Sequence, residues 1–349
     1  LDGGTNPFGT NGESIALDYS LTVGGTGQSG DITLIGDVLY FNSTNTSSLQ
    51  TTGAVTVKPY SNSFDERAIS WPLSGLSLGG NETGFTLGKT ENTWDLTISS
   101  DLSIDGDINI LGGAIALNGN LTSSGNVNTQ AKTNIALAAS KTIASTGGHI
   151  ILWSDYDNNG SGAFSAGDNT AFTTSGGNIL IAGGDDTDTD GFPDGFATSA
   201  TNHGVQLGTT ANGTTTLSTS GGNITIRGKA TSSTSGVGHG VAQYGMFDAD
   251  AGAGSITING ESSSWYGIDF AEMGSSSSTP WSLVSSATSG TAVSITGTTT
   301  ASAQYGVVFN YPLKKQIIAD GGRSIQINGV GTGSNFGLFC QNTDFLASS

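Results

Sequence analysis

Apolar residues in this 349-residue chain fall at every second position in short runs, separated by Gly, Ser, Thr and Asn. In "SGGNITIRG" (220–228), Ile224 and Ile226 share one face and Asn223, Thr225 and Arg227 the other, the period of two that belongs to β-strands. Three elements recur in order. A Gly pair leads into an alternating strand ("TGGHIILW", "SGGNILIAGG", "SGGNITIRG", "GAGSITING", "GTAVSITG", "DGGRSIQING"). An aromatic–Gly–apolar element follows ("QYGMF" 243–247, "WYGIDF" 265–270, "QYGVVF" 304–309, "NFGLFC" 335–340), then a short strand before the next Gly pair. Aligning the first inward residue gives Ile150, Ile179, Ile224, Ile256, Val293 and Ile325, at intervals of 29, 45, 32, 37 and 32 residues.

A fixed strand with variable loops between strands is how a solenoid absorbs insertions, because each coil touches only its neighbours. Three short strands per coil predict an all-β fold, a parallel β-helix (β-solenoid) with loop insertions, and crossover sterics favour the right-handed form. An antiparallel sandwich also uses short strands and Gly turns, but it does not explain a three-part unit in fixed order. Residues 1–145 read as an N-terminal solenoid part with an irregular insertion near 61–93, expected to bulge from the tube or cap a coil. Residues 146–349 read as the C-terminal coils of one continuous elongated domain. The aromatics Tyr244, Tyr266, Tyr305 and Phe336 recur in apparent register, which predicts an interior or inter-coil stack.

Composition narrows the function classes. The chain has 28 Asp and Glu against ten Lys and Arg, a net charge of −18, with no basic cluster larger than Lys314–Lys315, which argues against nucleic acid or an anionic membrane surface as partner. Cys340 is the single cysteine, so an internal disulfide and a cysteine zinc site are excluded. No 18-residue apolar run predicts membrane insertion. The chain opens on Leu1 without a signal-peptide pattern, and the expectation is a mature or excised piece of a longer secreted protein.

Two stretches, "GFTLGKTENTWDLTISSDLSIDGDINILGGAIALNGNLTSSG" (84–125) and "TGGHIILWSDYDNNGSGAFSAGDNTAFTTSGGNILIAGG" (146–184), resemble the repeat units of the filamentous-haemagglutinin-like giant surface adhesins of Gram-negative bacteria. The "ILWSD" step into a polar Gly-rich loop carries most of the likeness, which extends in repeat style over roughly residues 30 to 340. It implies a β-helical segment of a large exported adhesin, extracellular or on the bacterial cell surface, with no catalytic residues.

The most specific chemistry lies in "DDTDTDGFPDG" (185–195). Asp186, Asp188 and Asp190 at alternate positions, Gly191 and then Asp194 give D-x-D-x-D-G-x-x-D, the logic of an oxygen-rich Ca²⁺ loop in which a Gly permits the sharp turn. A second loop, "SDYDNNGSGAFSAGD", offers Asp155, Asp157 and Asn159, with Asp168 folding back to close it. Both follow a Gly-pair strand one coil apart, so they are expected on the same side, with calcium as a structural staple. His149, His203 and His239 show no ligand spacing and are expected in turns or on the surface. Tyr156, Trp265, Tyr266 and Trp281 are exposed candidates for stacking on sugars.

The sequence thus predicts a non-enzymatic structural or adhesive segment. Its expected partners are neighbouring domains of a longer chain, other copies of itself, or surface glycans and cell-surface proteins. The alternative is a β-helical polysaccharide lyase or hydrolase, or a phage tail-spike-like carbohydrate binder. A lyase needs a base beside acidic ligands and a hydrolase two carboxylates about 5–10 Å apart in a groove, whereas the acids here lie in loops.

Overall fold

The computed structural model describes residues 14–17, 19–41, 44, 46–65, 69–210, 213–231, 238–271, 281–302, 304–310, 315–332 and 337–347. Every strand pair between these residues is parallel, and the strands sort into sheets in which each strand bonds its counterpart in the next coil. The longest, 12-stranded, runs from Ile32–Ile35 to Ser324–Thr332, with Ala197–Ser199 attached beside Ile224–Ala230. A 10-stranded sheet runs from Ile69–Trp71 to Leu338–Cys340 and a 9-stranded sheet from Leu102–Ile104 to Thr343–Ala347. The chain visits the three sheets in turn and returns one strand further along. This is a parallel β-helix advancing about 4.8 Å per coil, the inter-strand spacing.

The repeat alignment holds residue by residue. Ile150 pairs with Ile179, Ile179 with Ile224, Ile224 with Ile256, Ile256 with Val293 and Val293 with Ile325. From Ile150 to Ile295 the inward positions of these strands are fully buried. Apolar rows of this kind provide the main driving force for closing each coil. The long sheet passes residue 145 without interruption through Val127–Ala131, Ile150–Ser154 and Ile179–Gly183. Within 61–93, Ile69–Trp71, Leu76–Leu78 and Gly84–Gly88 each take a place in a sheet. That segment therefore supplies coil strands, and its irregularity lies in the turns between them.

Two polar devices set the corners. At the start of five successive strands of the long sheet, a side chain accepts the backbone N–H of the next coil: Asp107 from Asn126 (2.6 Å), Asn126 from His149 (2.8 Å), His149 Nδ1 from Asn178 (2.9 Å), Asn178 from Asn223 (2.8 Å) and Asn223 from Ser255 (2.9 Å). His149 thus serves as one rung of an amide ladder. Buried hydroxyls also bond carbonyls in the bends: Ser145, two residues before the Gly147–Gly148 pair, donates to Gly125 O (2.6 Å), and Ser285 donates to Gly254 O (2.6 Å). Gly222 packs against the preceding turn so closely that a Cβ there would lie 2.0 Å from Gly177 O, which is why no side chain is tolerated at this bend.

In the later coils the long-sheet strand overruns the tube, makes a side excursion and returns. Chain crosses chain at a pair of glycines in four successive coils: a Cβ on Gly228 would lie 2.1 Å from Gly240 O, one on Gly260 2.2 Å from Gly267 O, one on Gly297 2.1 Å from Gly306 O and one on Gly329 1.9 Å from Gly337 O. The residue before each returning glycine enters the excursion, giving the column His203, His239, Tyr266, Tyr305 ahead of the paired residues Val205, Val241, Ile268 and Val307. Ring centroids are 5.0 Å apart for His203–His239, 5.4 Å for His239–Tyr266 and 5.9 Å for Tyr266–Tyr305. The inter-coil stack is present with one correction to its membership. Tyr244 lies five residues past the column position His239, pairs with Ala271, and reaches back so that its hydroxyl meets His203 Nε2 at 3.1 Å. Phe336 lies outside the described residues. Burial corrects two further expectations: His203 and His239 do lie in the turns between strands but are 8% and 5% exposed rather than on the surface, and Trp281, at 0%, stacks inside the tube against Phe270 and Phe309.

Candidate functional site

Strands Ile150–Ser154 and Ile179–Gly183 are buried on both faces, unlike their alternating neighbours. Their outward residues Ile151, Trp153 and Leu180 are each less than 9% exposed. The excursion that follows Gly183 lies back against this face. Trp153 Nε1–H donates to Gly184 O (2.7 Å), Phe192 meets the His149 ring edge-on at 5.4 Å, and Arg227 from the next coil donates to Pro193 O (3.0 Å). The Gly183–Gly195 bridge closes it on its own strand, and the Gly162–Thr198 bridge ties it to the 155–162 loop. Asn158 Nδ2 donates to Asp185 Oδ2 (2.6 Å), so the two acidic loops do lie side by side across adjacent coils.

The first loop is built from its own carboxylates. Asp186 Oδ2 accepts the N–H of Gly191 (2.9 Å), Asp190 Oδ1 that of Phe192 (2.9 Å) and Asp194 Oδ2 that of Thr187 (2.9 Å). Thr187 Oγ1 also donates to Asp194, and Arg227 Nη1 lies 3.9 Å from its other oxygen. These turns leave one oxygen each of Asp186, Asp188 and Asp194 within 4.8 Å of one another. That is about twice a Ca²⁺–oxygen distance, so the trio fits as part of a hard-cation shell that takes six to eight oxygens. Asp190 is not in the trio. Desolvation in the folded loop and the like charges of Asp190, Asp194 and Asp186 raise the pKa of Asp188. The Thr187 bonds, with help from Arg227, lower that of Asp194. The loop therefore holds concentrated negative charge that Arg227 offsets from one side.

The second loop gathers differently. Asp155, 1% exposed, accepts N–H bonds from Gly160 (3.1 Å) and Ser161 (3.2 Å), and desolvation by burial raises its pKa. Asp157 accepts from Asn159 Nδ2 (3.0 Å). Asp168 does not close this loop. Its carboxylate caps a turn of the following coil, accepting from Thr209 N–H (2.7 Å), Thr210 N–H (3.0 Å) and Thr210 Oγ1 (2.7 Å). Partial burial raises the Asp168 pKa, but those bonds together outweigh it and the net shift is downward. Among the described residues only Asp186, Asp188 and Asp194 form a metal-sized group.

What the residue pattern did not reveal is the packing under the first loop. Its signal was present in "IILW" and "ILIA", apolar runs without alternation, which mark strands covered on both sides. No protein-family model, curated protein or solved structure matches this chain.

Proposed function

We propose that the chain is a non-enzymatic, rod-forming segment of a large secreted or cell-surface protein of the filamentous-haemagglutinin-like kind, with its 185–195 loop stiffened by calcium. The observation that carries this reading is the use made of the carboxylates. Asp186, Asp190 and Asp194 each accept a backbone N–H bond that shapes the excursion packed onto the tube, and Asp155 and Asp168 shape two further turns in the same way. Such groups hold a flank in shape, which suits a rod that presents loops to surface glycans, cell-surface proteins or further copies of itself. A cation at Asp186, Asp188 and Asp194 would relieve the repulsion in the loop and add binding energy to the folded state. That amounts to about 2.7 kcal/mol at a hundredfold excess over Kd.

The test is thermal unfolding after EDTA treatment, with calcium titrated back, for the native chain and for D186N/D188N. Calcium should raise the Tm of the native chain and leave the variant nearly unchanged. No shift at millimolar calcium would mean that Arg227 and packing alone hold the excursion, and the calcium part of the reading fails. Binding of the immobilised chain to a glycan panel and to host cells tests the adhesive part separately.

A further inference from the structure

The column in the side excursions holds aromatic rings on successive coils, yet two of its members are histidines. His203 and His239 stack nearly parallel, at 5.0 Å and an interplanar angle of 4°. His203 is fully engaged as a neutral ring: Nδ1 accepts the N–H of His239 (3.2 Å), and Nε2 faces the Tyr244 hydroxyl at 3.1 Å. His239 Nε2 lies 3.5 Å from Asp269 Oδ2. Asp269 is itself 6% exposed, with its second oxygen unpartnered. The slot demands a flat ring, and in the next coils Tyr266 and Tyr305 meet that demand with phenol rings.

We propose that the side lobe around His203 and His239 is an acid-sensitive latch, in which proton uptake by the two stacked imidazoles opens the segments 200–204 and 238–240 that carry them while the aliphatic tube stays closed. A second positive charge placed 5 Å from the first inside a buried stack is unfavourable, and protonating Nδ1 of His203 removes the acceptor of the His239 N–H. The groups facing the pair come from every neighbouring element. Tyr244, Tyr266 and Tyr305 belong to the column and its flank, and Asp269 comes from Ile268–Ala271. Buried Lys315 acts on Asp269 from Lys315–Ala319, and Lys229 and Glu261 pair at 2.9 Å on the exposed rim.

The signs oppose and can be worked through. Burial lowers the pKa of His203 to about 4, and burial together with the charge of His203 lowers that of His239 to about 3. The open lobe therefore binds two protons that the closed lobe refuses, and closure is lost as pH falls below about 6.5. Burial raises Asp269 to about 7 against the attraction of Lys315, so its contribution is full below its ordinary range and is lost as pH rises through 7. Between about 4 and 6.5 the open state still gains about one net proton, so closure weakens about tenfold per pH unit of acidification.

The experiment is hydrogen exchange of the intact chain from pH 7.5 to 4.5, corrected for intrinsic exchange, with the histidine rings followed by NMR. Amides of 200–204 and 238–240 should lose about tenfold protection per pH unit below 6.5, while those of 108–112 hold. H203Y/H239Y places in both slots the ring used by the next coils and should abolish the loss; D269N, which removes the opposing group, should steepen it. Unchanged acid opening in H203Y/H239Y would overturn the latch. So would native histidine rings that take up protons near pH 6.5 with the lobe amides still protected, a readout that stands even if the variants do not fold.

Discussion

Asp155 shows how one residue can be both well bonded and electrostatically uncomfortable. Its side chain accepts the Gly160 and Ser161 N–H groups, and its backbone holds φ at 53°, so side chain and backbone both shape the turn. Burial nevertheless raises its pKa, meaning that the folded state binds the proton more tightly than the unfolded chain. Its favourable contribution is then complete below the ordinary carboxylate range and is lost as pH rises through the raised value. Asp155→Asn keeps an acceptor and discards the charge. In EDTA, the Tm of D155N should exceed that of the native chain at pH 7, and the gap should close towards pH 4. Saturating calcium should reverse the order at pH 7 if Asp155 is a ligand. A melting profile of both proteins against pH, with and without calcium, checks the sign and the reversal together.

At the scale of elements, the unit that distinguishes this solenoid is the excursion folded back on the tube. Between Gly184 and Ser199 the chain is held by Phe192 on His149, Arg227 on Pro193 and the strand Ala197–Ser199. Phe192→Ala removes the half-buried ring. It should cost about 1–2 kcal/mol, less than the 3–5 kcal/mol of a fully buried Phe. Trp153 emission should shift to the red as the strap loosens, while the Phe270–Trp281 stack in the tube is untouched; an unchanged spectrum would place the hold on Arg227 instead. Much of this architecture was legible in the sequence, because inward Ile and Val repeat in every coil and their register is fixed by the period of two. The aromatic column was misphased at one coil. "QYG" at 243–245 imitates the "YGI" of later coils, whereas the true counterpart is "HGV" at 239–241. The crossing glycine defines the slot, and any flat ring fills it. Asp168 was misassigned for a different reason: its partners Thr209 and Thr210 lie more than 40 residues away, a closeness that only the stacked coils create.

At the scale of the molecule, coils in series make stability local, and the cost of a core substitution should depend on where along the axis it falls. Ile181 is fully buried, with Leu152 and Ile226 in register on either side. Ile327 occupies the equivalent inward row but has a described neighbour, Ile295, on one side only, and its strand Ser324–Thr332 alternates between exposed and half-buried. Ile181→Ala should therefore leave a closed cavity and cost about 2–5 kcal/mol, in the range of buried large-to-small changes. Ile327→Ala should cost about half as much, since its site can relax and water already reaches it. The hydrogen-exchange pattern separates the two more sharply than the total. I327A should lower protection in 324–332 and 343–347 and leave Val127–Ala131 as it was. I181A should lower protection in the coils on both sides, because each long-sheet strand there is the hydrogen-bonding partner of the next. Equal losses spread over the whole chain in both variants would mean that the tube unfolds as one cooperative block, and the nearest-neighbour account of this solenoid would have to be given up.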